Sequence, residues 1–152
     1  ATGGVMESAL RSAYYLVTKE NPAPDAFRDV RGLQGWKEAS FDIAGTPVKV
    51  AVASSLGNAR KLVQAICNKE VSYDFVEVMA CPGGCVNGGG QPIHHDGADV
   101  AKRADVLYGL DRHDKLRYSH ENPEVLKLYE EFLGEPLSHK AHELLHLEHV
   151  ME

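Results

Sequence analysis

The chain has 152 residues, 43% of them hydrophobic and 25% charged, with a formal net charge of −6. That length is enough for one globular domain with a sizeable core, and this ordinary soluble composition excludes a disordered chain. The acidic balance excludes a nucleic-acid partner, which needs a basic face, and no apolar run approaches the roughly eighteen residues of a membrane span.

The chain opens Ala1-Thr2-Gly3-Gly4 without an initiator methionine or a leader, so it reads as a piece of a longer protein. Val5, Ala9, Leu10, Ala13, Leu16 and Val17 recur at helical spacing, which predicts a helix with these residues inward and Pro22 as its stop. Trp36 to Ile43 alternates, with Ala39, Phe41 and Ile43 on one face. Ala-Gly-Thr-Pro then reads as a turn and Val48 to Val52 as a second strand, giving a hairpin. Ser54 to Asn58 reads as a helix opening, and the helix runs to Lys69 with Leu62, Val63 and Ile66 on one stripe. Phe75 to Val78 returns as a strand. Strand 48–53, helix 58–69 and strand 74–79 make a βαβ unit with parallel strands. Further helices are expected over 97–110, from Asn122-Pro123 to Gly134 with Val125, Leu128, Tyr129 and Phe132 inward, and from Ser138 to about Val150. The fold class is α/β: a βαβ unit with a hairpin, packed by N- and C-terminal helices, in a single domain.

Residues 79–92, Met-Ala-Cys-Pro-Gly-Gly-Cys-Val-Asn-Gly-Gly-Gly-Gln-Pro, carry the chemistry. Cys81 and Cys85 stand three residues apart in a loop that also holds Gly83, Gly84, Gly88, Gly89 and Gly90. Thiolates are the soft ligands iron–sulfur clusters require. Glycines let backbone approach an inorganic core and aim N–H groups at its sulfurs. In a parallel sheet such a loop lies at the carboxyl ends of the strands, where ligands bind. By itself a lone C-x₃-C also fits a pair of buried thiols. Zinc with His94 and His95 is the bland alternative, although adjacent histidines do not easily reach one ion. Cys67 reads as a small core hydrophobe. His139, His142, His146 and His149 fall on one helical face and read as packing and capping groups. The glycines match neither a dinucleotide fingerprint nor a P-loop. Three cysteines, two in one loop, fit a reducing compartment better than a disulfide framework.

The run from Met79 to Pro92 resembles the last of three cluster-binding motifs of the iron-only ([FeFe]) hydrogenases, without a break over fourteen residues. Ala1 to Arg11 is similar to the glycine-opened helix flanking the active site in that family, and Ser138 to His146 is similar to its C-terminal helix. The resemblance implies about half of the hydrogenase catalytic domain, with its N-terminal part missing from this chain. It implies reversible oxidation of H₂ with ferredoxin or a similar carrier, in the cytoplasm. The implied cofactor is a [4Fe–4S] cluster bridged to a two-iron subsite, the H-cluster. Cys81 corresponds to a cubane ligand, Cys85 to the bridging ligand, and Met79 to a residue packed on the subsite. Thr2, Gly3, Gly4, Gly83, Gly84, Gly88, Gly89, Gly90 and Gln91 are implied to line the cofactor. The other two ligands and the proton-donating cysteine belong to earlier motifs that this sequence lacks. The isolated chain is therefore expected to be inactive and without cofactor, and its implied partner is the remainder of the catalytic domain. A non-catalytic iron–sulfur assembly factor and a hydrogen-sensing homologue are the alternatives.

Overall fold

The computed structural model describes residues 1–92 and 98–147, and the backbone alone at Ala98. The chain forms two compact units, residues 1–114 and 115–152. The first is built on a three-stranded sheet, with β1 (Trp36–Ile43), β2 (Thr46–Ser54) and β3 (Phe75–Met79) in the order β1-β2-β3. β1 and β2 pair antiparallel from Trp36 opposite Ala53 to Ile43 opposite Thr46. The expected four-residue turn closes on only two residues, Ala44 and Gly45, both at positive φ, as right-twisted hairpins favour. β3 runs parallel to β2, from Val50 opposite Phe75 to Ser54 opposite Met79. The α/β fold class and the parallel βαβ unit therefore stand as the sequence predicts.

β2 is central and buried on both faces. Val50 and Val52 pack with Met6, Leu10, Phe27, Val30 and Ile43, whereas Ala51 and Ala53 pack with Leu62. The first face is covered by helix α1 (Gly4–Thr18), and helix α2 (Leu56–Cys67) contributes Leu62 to the second. Two expected stripes need correction. α1 buries Met6, Glu7, Leu10 and Arg11, while Val5 (61% exposed), Leu16 and Val17 point outward. The cause is charge pairing: Glu7 and Arg11 satisfy each other and further partners, so polar residues can occupy the inward face. α2 starts at Leu56, capped by the Ser55 hydroxyl, and buries Leu62 and Ala65 while Val63 and Ile66 are exposed. Helix α3 (Ala98–His113) extends three residues beyond its expected end.

In the second unit, Asn122 caps helix α4 (Pro123–Leu128) by accepting the Glu124 N–H, and Pro123 opens the helix as expected. The next turn, Tyr129–Leu133, is a π-helix closed at Gly134. Its wider winding advances each side chain less than 100° around the axis. Leu133 is thereby the residue turned inward, and Leu128 and Phe132, expected inside, are about half exposed. Lys140 Nζ sits 3.6 Å from the centre of the Phe132 ring. The Ser138 hydroxyl caps helix α5 (His139–Leu145), which ends at His146 in extended backbone; the expected end near Val150 lies outside the described residues. His139, His142 and His146 are exposed, with the last two rings 4.6 Å apart, so they are not packing residues; His149 lies outside the described residues. Among the described residues no helix is long and apolar enough to cross a membrane.

Candidate metal centre

β2 and β3 end side by side at Ser54 and Met79, and the segments just beyond the two strands build the site. Ser55 has φ 73° and ψ 145°, a strained conformation for a residue with a Cβ. Its N–H donates to the Met79 carbonyl (2.9 Å), tying the start of α2 to the end of β3. Beyond Met79 the loop turns twice. The Gly84 N–H donates to Cys81 O (2.9 Å) and the Gly88 N–H to Cys85 O (3.1 Å), and Cys85–Asn87 forms a 3₁₀ turn between them. Gly83 and Gly84 hold φ of 78° and 87°. The Gly83 N–H donates to the Ser54 hydroxyl (3.3 Å). From the far side, Arg103 of α3 donates to the carbonyls of Val86 and Pro92, each at 2.9 Å, and a groove of about 340 Å³ lined by Val86, Gln91, Lys102, Arg103, Val106 and Leu107 adjoins the loop.

The N-terminus is part of the same structure. The Thr2 N–H donates to the Gly83 carbonyl (3.1 Å). A Cβ placed on Gly84 would lie 2.7 Å from Thr2 N, 3.0 Å from Ala1 C and 2.9 Å from the Met79 sulfur. A Cβ on Gly88 would come within 3.3 Å of Cys81 Sγ, whereas Gly4, Gly89 and Gly90 have open space there. The structure thus brings Thr2, Met79, Gly83 and Gly84 into contact around the first half of the loop. Cys81 is half-buried and Cys85 exposed; Gln91 is exposed near the Arg103 anchor. The Thr2 hydroxyl is buried and has no hydrogen-bond partner among the described residues.

Sequence reasoning missed three residues here. Glu77, on β3, accepts the N–H of Gly3 at 2.7 Å and of Met6 at 2.6 Å, so a buried carboxylate occupies the positive end of α1. The positive end of that helix is therefore met by a carboxylate of the same chain. Lys37, on β1, donates to the carbonyls of Gly32 (2.6 Å) and Thr2 (3.4 Å). Burial pushes its ammonium down to about 8, against the opposing pull of Glu77. Ser54 is the third. The available signal was a glutamate and a lysine inside apolar strands. Cys67, expected in the core, is exposed at the far end of α2, which is roughly 18 Å long at twelve residues. It cannot join the two loop thiols. His94 and His95 lie outside the described residues, and among the described residues no group of three or more histidine, cysteine or acidic side chains could hold a metal ion.

Residues 1–89 match the family described as the iron only hydrogenase large subunit, C-terminal domain, and residues 98–151 match the iron hydrogenase small subunit. This chain belongs to the iron-only hydrogenase family. It is 49% identical over 146 residues, 95% of its length, to the NADP-reducing hydrogenase subunit HndD of Solidesulfovibrio fructosivorans, and 44% identical over 155 residues to iron hydrogenase 1 of Clostridium pasteurianum. A variant of the [FeFe]-hydrogenase HydA1 from Chlamydomonas reinhardtii superposes with a TM-score of 0.75 at 43% identity, over 99% of this chain. More distant family members include cytosolic iron-sulfur assembly component 3 of Mus musculus, 31% identical over 155 residues. The hydrogenase-like chain spans only 25% and 27% of the first two relatives and 45% of the solved chain.

The cysteine loop fits an iron–sulfur group in part. Two thiols of the right softness stand in a glycine cradle whose Cβ positions at Gly84 and Gly88 are filled or tight, beside an orphaned hydroxyl. A cubane takes four thiolates, and this loop offers two.

Proposed function

We propose that this chain is the C-terminal portion of an [FeFe] hydrogenase catalytic domain, whose complete protein interconverts H₂ with two protons and two electrons delivered by a ferredoxin-like carrier in the cytoplasm. The observation that carries this reading is the cysteine loop set at the carboxyl ends of two parallel strands, with Thr2 hydrogen-bonded to it. Cys81 would hold the [4Fe–4S] cluster, and Cys85 both the cluster and its link to the two-iron subsite. Met79 would pack on the subsite. Thr2, Gly3, Gly4, the five loop glycines and Gln91 would shape the wall. When bound, the cofactor supplies electron storage and the hydrogen-activating metal; the protein supplies ligands, a dry cavity and hydrogen-bond donors. Ser54 and Arg103 fix the loop backbone, so its thiols are presented in one arrangement. The chain alone would be inactive.

The test is anaerobic reconstitution of the full-length protein, with infrared CO and CN⁻ bands and hydrogen evolution from a reduced carrier as readouts. Bands and turnover lost on Cys85→Ser support the reading; bands that survive it overturn the assignment of this loop. The relatives that are assembly components favour a second reading, an iron–sulfur protein without a two-iron subsite. A [4Fe–4S] signal with no CO or CN⁻ bands would select it.

A further inference from the structure

Two buried charges of opposite sign flank the backbone that touches the cysteine loop, and the proposed chemistry uses neither. Glu77 is 7% exposed and stands four residues before Cys81. It takes the place of a local cap: Gly3 has no side chain to accept the α1 amides, and the carboxylate that does so comes from a strand 74 residues away in sequence. Lys37, also 7% exposed, grips the carbonyl of Thr2, whose own N–H holds Gly83. Position 3 admits no side chain of its own, because a Cβ there would lie 2.0 Å from the Val30 carbonyl oxygen. Burying charge is costly unless it is met, and here the amides of Gly3 and Met6 meet the carboxylate while the carbonyls of Gly32 (2.6 Å) and Thr2 (3.4 Å) meet the ammonium. A capping serine or aspartate cannot stand at position 3, so the α1 amides depend on an acceptor brought in by β3.

We infer that Glu77 and Lys37 are positioning residues of the metal centre, a buried charge couple that clamps Thr2 and Gly3 against the cysteine loop and sets the electrostatic potential there. This rests on the proposed function, since it requires that the loop hold a cluster. In a low-dielectric interior, fixed charges reach a redox centre with little screening. The carboxylate opposes addition of an electron and the ammonium favours it. At neutral pH Lys37 keeps its proton, its burial-lowered value of about 8 lying above neutrality. The two residues therefore act on the centre in opposite directions, although each holds backbone of the same N-terminal segment, Glu77 at Gly3 and Met6 and Lys37 at Thr2.

The experiment uses the reconstituted full-length protein and reads the cluster midpoint potential by redox titration followed by electron paramagnetic resonance. Glu77→Gln is expected to raise the potential, Lys37→Gln to lower it, and Lys37→Arg to leave it near that of the wild type. In metal-free protein, Glu77→Gln is expected to speed hydrogen exchange at the Gly3 and Met6 amides at least tenfold. If Glu77→Gln does not load, the two Lys37 variants decide the matter. A wild-type protein that binds the cluster, with variants that shift its potential the same way or not at all, overturns this inference and leaves the proposed function standing. A wild-type protein that binds no iron overturns both.

Discussion

Gly84 shows how tightly one residue can be specified. Its φ of 87° and ψ of −163° belong to a region essentially reserved for glycine, and its missing Cβ is the space that Ala1, Thr2 and Met79 fill. Gly84→Ala combines backbone strain with overpacking and is expected to cost on the order of 2–4 kcal/mol, read as a lower denaturant midpoint. Gly89→Ala meets open space, and the same measurement should change by less than about 1 kcal/mol. Met79→Leu roughly keeps volume, so hydrogen turnover in the full protein should fall only partly, while Cys85→Ser should abolish it. Lys37 makes a pH prediction. Its folded-state value of about 8 lies below the ordinary 10.5, so between those two the unfolded chain binds more protons and stability should rise with pH. Lys37→Met should remove that rise, as the difference between two pH–stability profiles will show.

At the scale of elements, α1 is the instructive case. Hydrophobic spacing gave the helix and its stop but the wrong inward face, because Glu7 and Arg11 are inside. Glu7 accepts from Arg11 Nη2 (2.7 Å) and from Arg31 Nε (2.7 Å), and both arginines reach Asp111 on α3. Nothing in residues 4–18 announces partners at 31 and 111. A periodicity count scores charged residues as outward, and only the fold reveals their pairing. Each arginine is held above its ordinary value, Arg11 chiefly by the hydrogen bond to Asp111 and Arg31 chiefly by that to Glu7. Glu7→Gln leaves two guanidinium groups short of a buried partner and is expected to cost about 3–5 kcal/mol. Removing the exposed pair by Lys102→Ala should change stability by no more than about 0.5 kcal/mol, both measured by denaturant titration. The hairpin and the βαβ unit were legible because β-branched runs and their turns are local signals. The π turn at 129–133 was not, since nothing local marks a change of winding.

At the scale of the molecule, the chain brings two thiols to one loop and covers under half of a solved relative. The position of the cysteine loop just beyond the ends of two parallel strands was legible from cysteines, glycines and strand pattern together. The buried contacts of Glu77 were hidden, because its partners Gly3 and Met6 stand 74 and 71 residues away in sequence. Expressed alone and reconstituted anaerobically, the chain should show no broad visible absorption from a cubane, two thiolates being half the requirement. A stoichiometric cluster that survives gel filtration would contradict this.

The hydrogen bonds that dock residues 2–6 on β3 and its loop also fix an order of events. The Glu77 contacts to Gly3 and Met6 join positions 74 and 71 apart in sequence, while the hairpin closes across two residues. Loop-closure entropy makes the distant contacts about 2–3 kcal/mol harder to nucleate, at roughly 0.6 kcal/mol per doubling of length. The hairpin should therefore form early, and the cradle should close among the last steps of folding. A nascent chain would then present Cys81 and Cys85 on an open loop before the Thr2 segment arrives. Pulse-labelled amides of Val50 and Val52 should gain protection before those of Gly3 and Met6.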